Sequence, residues 1–180
     1  MESSFTFIHI EASSTKGPAF PVEVYWGTIP VDEGVGYLVN PQGIGKWAKW
    51  DAEFLSLHMI TADDLQRYGS HPSVICDAIS QALAGKTVYS KAPEHTLNLL
   101  AELFAVVGRP RCVMTVLDLE ELFLEKLSAK SGTVDNLEGL AEIKQEVAEA
   151  HSIYLSGGAF EGLYYSEIWK RVSSDSRACW

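Results

Sequence analysis

The sequence predicts a single α/β domain: a mixed five-stranded sheet, an antiparallel meander followed by parallel strands, with helices on both faces. Three observations predict it. Three apolar, strand-like runs fill the first 40 residues with short turns between them. Two further short runs, Thr87–Ser90 and Val113–Leu117, each follow a helical stretch, and from Asp118 onward the chain reads as helix. Short gaps enforce antiparallel pairing, because a parallel crossover needs a dozen or more residues, whereas a strand that follows a helix can return parallel to the first.

The elements follow in order. Phe5–Ala12 is aromatic and β-branched with no breaker, which favours a strand. Ser13–Pro18 carries Ser, Gly and Pro and predicts a turn, then Phe20–Ile29 and Gly34–Val39 give the second and third strands, with Pro30–Gly34 turning between them. After a Trp-rich loop, Thr61 precedes Asp63 and Asp64 as an N-cap precedes first-turn acids. Ser70-His-Pro72 opens the next helix, whose apolar residues Val74, Ile75, Ala78, Ile79, Ala82 and Leu83 recur at helical spacing until Gly85. Pro93–Val107 is an apolar helix closed by Gly108, and three more helices span about 118–128, 135–150 and 159–172.

Composition sets bounds. At 180 residues, 47% hydrophobic and 21% charged, the chain suits one globular domain with a sizeable core. It carries 24 acids against 14 bases, a formal charge of −10, with a pI near 4.9. That argues against coating nucleic acid through a broad basic surface, though not against a small catalytic cleft. No apolar run approaches the roughly 20 residues of a membrane span. Cys76, Cys112 and Cys179 form no metal-spaced pair and suit reduced thiols in a cytoplasm, with Cys76 on an apolar helical face as core.

Chemistry enters at His9-Ile-Glu11. Side chains two apart on a strand share a face, so both reach one place. Four further stretches accompany it: Phe20-Pro-Val-Glu-Val24; Trp50 to Gly69, with Trp50, Ala52, Leu57-His58, Ile60-Thr61, Leu65 and Gly69; Thr87-Val-Tyr-Ser90 running into Ala92-Pro93; and Glu167-Ile168-Trp169 in the last helix. In this order the chain resembles the DEDD-type (DEDDh-like) 3′–5′ exonucleases of the RNase H-like fold, with His9-Ile-Glu11-Ala-Ser13 in place of Asp-x-Glu-x-Thr/Ser. The resemblance covers nearly the whole chain.

It implies an exonuclease-like protein acting on nucleic-acid 3′ ends. In such enzymes four acids, with a histidine in one branch, hold two divalent cations that activate water and stabilise the departing oxygen. Mg²⁺ or Mn²⁺ is therefore the implied cofactor, and each departure from the acid set weakens the site. His9 replaces the acid that bridges both metals, and an imidazole cannot bridge two hard cations. Glu11 keeps the second acid. The third falls on Thr96, a poor ligand, with the cation Lys91 nearby. The final motif, His-x-x-x-x-Asp, fits two registers. Ser156 with Glu161 keeps the acid and loses the base; His151 with Ser156 keeps the base and loses the acid. The first is preferred, because Tyr164, Ile168 and Val172 then mark the apolar face of the closing helix.

The resemblance thus implies Glu11 and Glu161 as metal ligands with His9 as an auxiliary ligand, and Thr96 and Ser156 as the places of a missing acid and base. Phosphodiester hydrolysis is expected to be weakened or lost. The alternative is a non-catalytic exonuclease-fold module that binds nucleic acid or a protein partner, a second copy included. No membrane is expected. Simpler roles accompany these: His58 and His71 as capping or surface groups, Asp118 as a helix cap, Trp26, Trp47 and Trp50 as core or loop anchors rather than base-stacking platforms, and Ser156-Gly-Gly158 as a turn whose backbone N–H groups could receive a phosphate or carboxylate.

Overall fold

The computed structural model describes residues 4–14, 19–30, 33–47, 60–131, 136–151 and 158–173. Ser156, Trp50, Ala52, Leu57, His58 and Cys179 lie outside the described residues, as does the side chain of His151.

Five strands form one sheet: β1 (Phe5–Ala12), β2 (Pro21–Ile29), β3 (Gly34–Leu38), β4 (Thr87–Ser90) and β5 (Thr115–Asp118). Their order is β3-β2-β1-β4-β5, which places β1 at the centre. β1 pairs antiparallel with β2, and β2 with β3; β4 runs parallel to β1, and β5 parallel to β4. The mixed sheet is therefore the one the turn lengths predict.

The described helices are α1 (Ala62–Tyr68), α2 (Pro72–Leu83), α3 (Pro93–Ala105), α4 (Leu119–Ser131), α5 (Leu137–His151) and α6 (Gly158–Ser173). Strand alternation divides them between two layers. Ile8, Ile10, Val22, Val24, Trp26 and Val88 point to one face and bury against Ile75, Ile79 and Leu83 of α2 and Leu99, Leu100 and Leu103 of α3. Phe7, Tyr25 and Ile29 point the other way, against Phe123 of α4, Leu140 and Val147 of α5, and Ile168, Trp169 and Val172 of α6.

Local chemistry sets the helix ends. Thr61 caps α1 in a reciprocal box with Asp64. His71 caps α2 by accepting the Ser73 N–H, with Pro72 at the first helical position. Asp118 Oδ1 accepts the N–H groups of Glu120, at 2.7 Å, and Glu121. Past α2, Gly85 takes a φ of +75° that a side chain would disfavour.

Several boundaries shift from the sequence reading. β5 begins at Thr115, paired to Thr87, which leaves Val113 outside the ladder and 82% exposed. α4 continues through Ser131. α3 ends at Ala105.

Of the aromatic anchors, Trp26 and Trp47 are core. Trp47 stacks on Phe20 at 5.1 Å between centroids and donates its indole N–H to Glu102 Oε1 at 2.6 Å. Trp26 is buried and stacks on Tyr37. Cys76 is fully buried.

Candidate functional site at the end of the central strand

Because β1 and β2 are antiparallel, directly opposed residues point to the same face. His9 faces Tyr25 across the pair and Glu11 faces Glu23, so the face that carries Phe7 also carries His9, Glu11, Glu23 and Tyr25. This is the face against which α6 packs, and the first turn of α6 brings Glu161 to it. Lys91, the residue after β4, reaches the same place and pairs with Glu161 Oε1.

At the centre lies the His9 ring, 4% exposed. Its Nε2 is 3.2 Å from Glu11 Oε2 and its Nδ1 is 3.0 Å from Glu161 Oε2. An ionised carboxylate only accepts, so a ring flanked by two of them must carry a hydrogen on both nitrogens. The charge agrees. Burial alone would push the His9 pKa down, but the Glu11 and Glu161 carboxylates outweigh it and hold it up at about 9. Glu161 is the mirror case. Burial would raise its pKa, yet His9 and then Lys91 hold it below the usual carboxylate range. Its buried Oε2 has no well-aligned hydrogen bond, so the contact with His9 Nδ1 is an ion pair.

Glu23 completes the cluster. In sequence Glu23 is marked only by the Phe20-Pro-Val-Glu-Val24 stretch; the signal that finds it is its register opposite Glu11. Burial lifts its pKa above the ordinary value, partly offset by His9 and by the Gly158 N–H. That N–H, at the start of α6, donates to Glu23 Oε2 at 3.3 Å. Of the Ser156-Gly-Gly158 stretch only Gly158 is described, and its backbone N–H receives a carboxylate that is the chain's own.

The structure brings together His9, Glu11 and Glu161. It does not bring Thr96 to them. Ser90 shares the parity of Val88, on the opposite face of the sheet, and the buried Thr96 hydroxyl lies 2.7 Å from Ser90 Oγ. His95, beside it on α3, is exposed.

Whether these residues fit a pair of divalent cations is decided by charge and place. The cluster offers at most three negative side chains, Glu11, Glu23 and Glu161, and two positive ones, His9 and Lys91, already lie against them. A net charge near −1 cannot balance two dications, and the His9 ring stands between the two carboxylates that would have to ligate. Among the described residues no group of three or more His, Cys, Asp and Glu has the arrangement of a metal site. The donor set does not fit the two-metal centre.

No protein-family model matches the chain, and no curated protein matches it. Solved structures do resemble it. The nuclease domain of 3'hExo, a DEDDh family member, bound to rAMP, superposes with a TM-score of 0.58 at 13% identity, over 94% of this chain and 89% of that one. E. coli exonuclease I in complex with a 5cy-dT13 oligonucleotide gives 0.62 at 10% identity, over 98% of this chain and 42% of that one. The zinc ion bound form of an E. coli ExoI–ssDNA complex gives 0.55 at 12% identity, over 98% and 41%. The chain spans most of the 3'hExo domain but less than half of the exonuclease I chains. At such identities the likeness is one of fold: the chain has the RNase H-like fold of the DEDD-type exonucleases. Among the described residues no helix is long and apolar enough to cross a membrane.

Proposed function

We propose that this chain, an RNase H-like domain of the DEDD exonuclease fold, receives the 3′ end of a single-stranded nucleic acid without hydrolysing it. The fold supports the first half. Neighbours with this architecture have been solved with rAMP and with a single-stranded oligonucleotide, and the acidic cluster here lies near the end of the central strand, where the resemblance places an exonuclease site. The single observation that carries the second half is the His9 ring between Glu11 and Glu161. Two-metal hydrolysis needs open carboxylates around two cations, one to activate water and one to stabilise the departing oxygen. Glu11 and Glu161 instead face a side-chain cation.

With a formal charge of −10, contact with a strand is confined to a short end segment. Few phosphates are then neutralised, and the salt dependence is shallow.

The test is a labelled single strand, DNA and RNA in turn, incubated with the protein and Mg²⁺ or Mn²⁺. The expected result is no shortening, together with binding that prefers a free 3′ hydroxyl over a blocked 3′ end. Shortening that Glu11→Ala abolishes overturns the loss of hydrolysis. Absence of binding overturns the nucleic-acid reading and leaves a protein partner as the occupant of this fold.

A further inference from the structure

We propose that His9 and Lys91 are built-in counter-ions which take the place of divalent cations, so that the carboxylate cluster and the seating of α6 persist without metal. On this proposal, exchanging His9, which stands between Glu11 and Glu161, for a carboxylate turns the cluster into a divalent-cation site. The proposal concerns the same residues as the function above but does not depend on nucleic-acid binding.

Three carboxylates converge from three elements: Glu11 from β1, Glu23 from β2 and Glu161 from α6. Buried like charges repel, and each needs a specific partner to stay ionised. The structure supplies one for each. Glu11 Oε2 faces His9 Nε2 at 3.2 Å, Glu161 Oε2 faces His9 Nδ1 at 3.0 Å, Glu161 Oε1 pairs with Lys91, and Glu23 Oε2 takes the Gly158 N–H at 3.3 Å. Two positive groups, one from β1 and one from the end of β4, thus both grip the acid that α6 contributes. They tie the last helix to the sheet, as a metal held between β1 and α6 would.

The latent half follows from donor chemistry. An aspartate at position 9 would stand two residues before Glu11 on the same strand face. It would remove a positive charge, add a carboxylate, and free Glu161 Oε2, which already lacks an aligned hydrogen bond. Carboxylate oxygens are the donors that Mn²⁺ and Mg²⁺ take.

Thermal unfolding of the full chain, in EDTA and in millimolar Mn²⁺, tests both halves, with calorimetric Mn²⁺ titration alongside. The wild type should unfold at the same temperature in both buffers and show no isotherm. His9→Asp should unfold at least about 5 °C lower in EDTA, recover in Mn²⁺ but not in KCl of equal ionic strength, and give a one-site isotherm. Should His9→Asp not fold, His9→Asn, which removes the same ring and its charge and leaves a carbonyl oxygen as donor, carries the same Mn²⁺ expectation. Saturable Mn²⁺ binding by the wild type overturns the proposal, and so does a folded variant that ignores Mn²⁺. Since no nucleic acid is present, this result and the end-binding result fail independently.

Discussion

Glu23 stands directly across from Glu11 in the β1–β2 pair, and its carboxylate takes the backbone N–H of Gly158 at 3.3 Å. One side chain thereby joins the acidic face of the sheet to the first residue of α6. That helix in turn presents Glu161 to His9.

Glu23→Ala leaves the Gly158 N–H unpartnered at a part-buried helix start and is expected to cost about 1–2 kcal/mol in urea-induced unfolding. Glu23→Gln keeps an oxygen acceptor and relieves crowding among three carboxylates, so it should stay near the wild type. Equal losses for the two variants would show that the charge, not the acceptor, holds α6.

Gly158 and Gly139 should respond to alanine with opposite signs. A Cβ at Gly158 would lie 2.1 Å from Tyr25 Cβ and 2.6 Å from Tyr25 Cγ, so Gly158→Ala forces α6 off β2 and should cost about 1–3 kcal/mol. A Cβ at Gly139 meets nothing within 4 Å, and Gly139→Ala in α5 should stabilise by up to about 1 kcal/mol. Denaturant midpoints of the two variants, measured in one buffer, check the contrast.

The cluster makes stability depend on pH from both sides. His9 faces Glu11 on its own strand, Glu23 on β2, Glu161 on α6, and through Glu161 the ammonium of Lys91. Its folded pKa of about 9 exceeds the unfolded value near 6.5. The stability it contributes is therefore complete below about 6.5 and lost as pH rises to about 9, on the order of 3 kcal/mol. Glu161 is shifted down, so its contribution is present above the usual carboxylate range and lost as pH falls through it. Unfolding midpoints against pH should peak between those limits. In His9→Asn the decline above 6.5 should disappear.

Removing the two partners of Glu161 should not cost the same. Lys91 is half exposed, and Lys91→Met should cost less than about 1 kcal/mol. Glu161→Gln takes a counter-charge from the buried His9 ring and should cost about 3 kcal/mol, with the His9 imidazole titrating at lower pH by NMR. A His9 titration unchanged by Glu161→Gln would dissolve the ion pair.

Much of this architecture was legible in the chain itself. Gap lengths predicted antiparallel and parallel pairing, and β-branched runs predicted the strands, because backbone hydrogen bonding and steric preference act locally. The same locality put His9 and Glu11 on one face, made Asp118 a cap, and buried Cys76, Trp26 and Trp47. Tertiary structure alone decided the rest. It set Glu23 beside Glu11 through strand register, turned Lys91 from a cation repelling a metal site into the partner of Glu161, and put Thr96 across the sheet against Ser90. His9 reads in sequence as a weakened ligand, yet its charge depends on carboxylates from β1 and α6 that meet only when α6 folds back onto β1. A side chain's proton belongs to its neighbours in space, and a linear sequence does not state who they are.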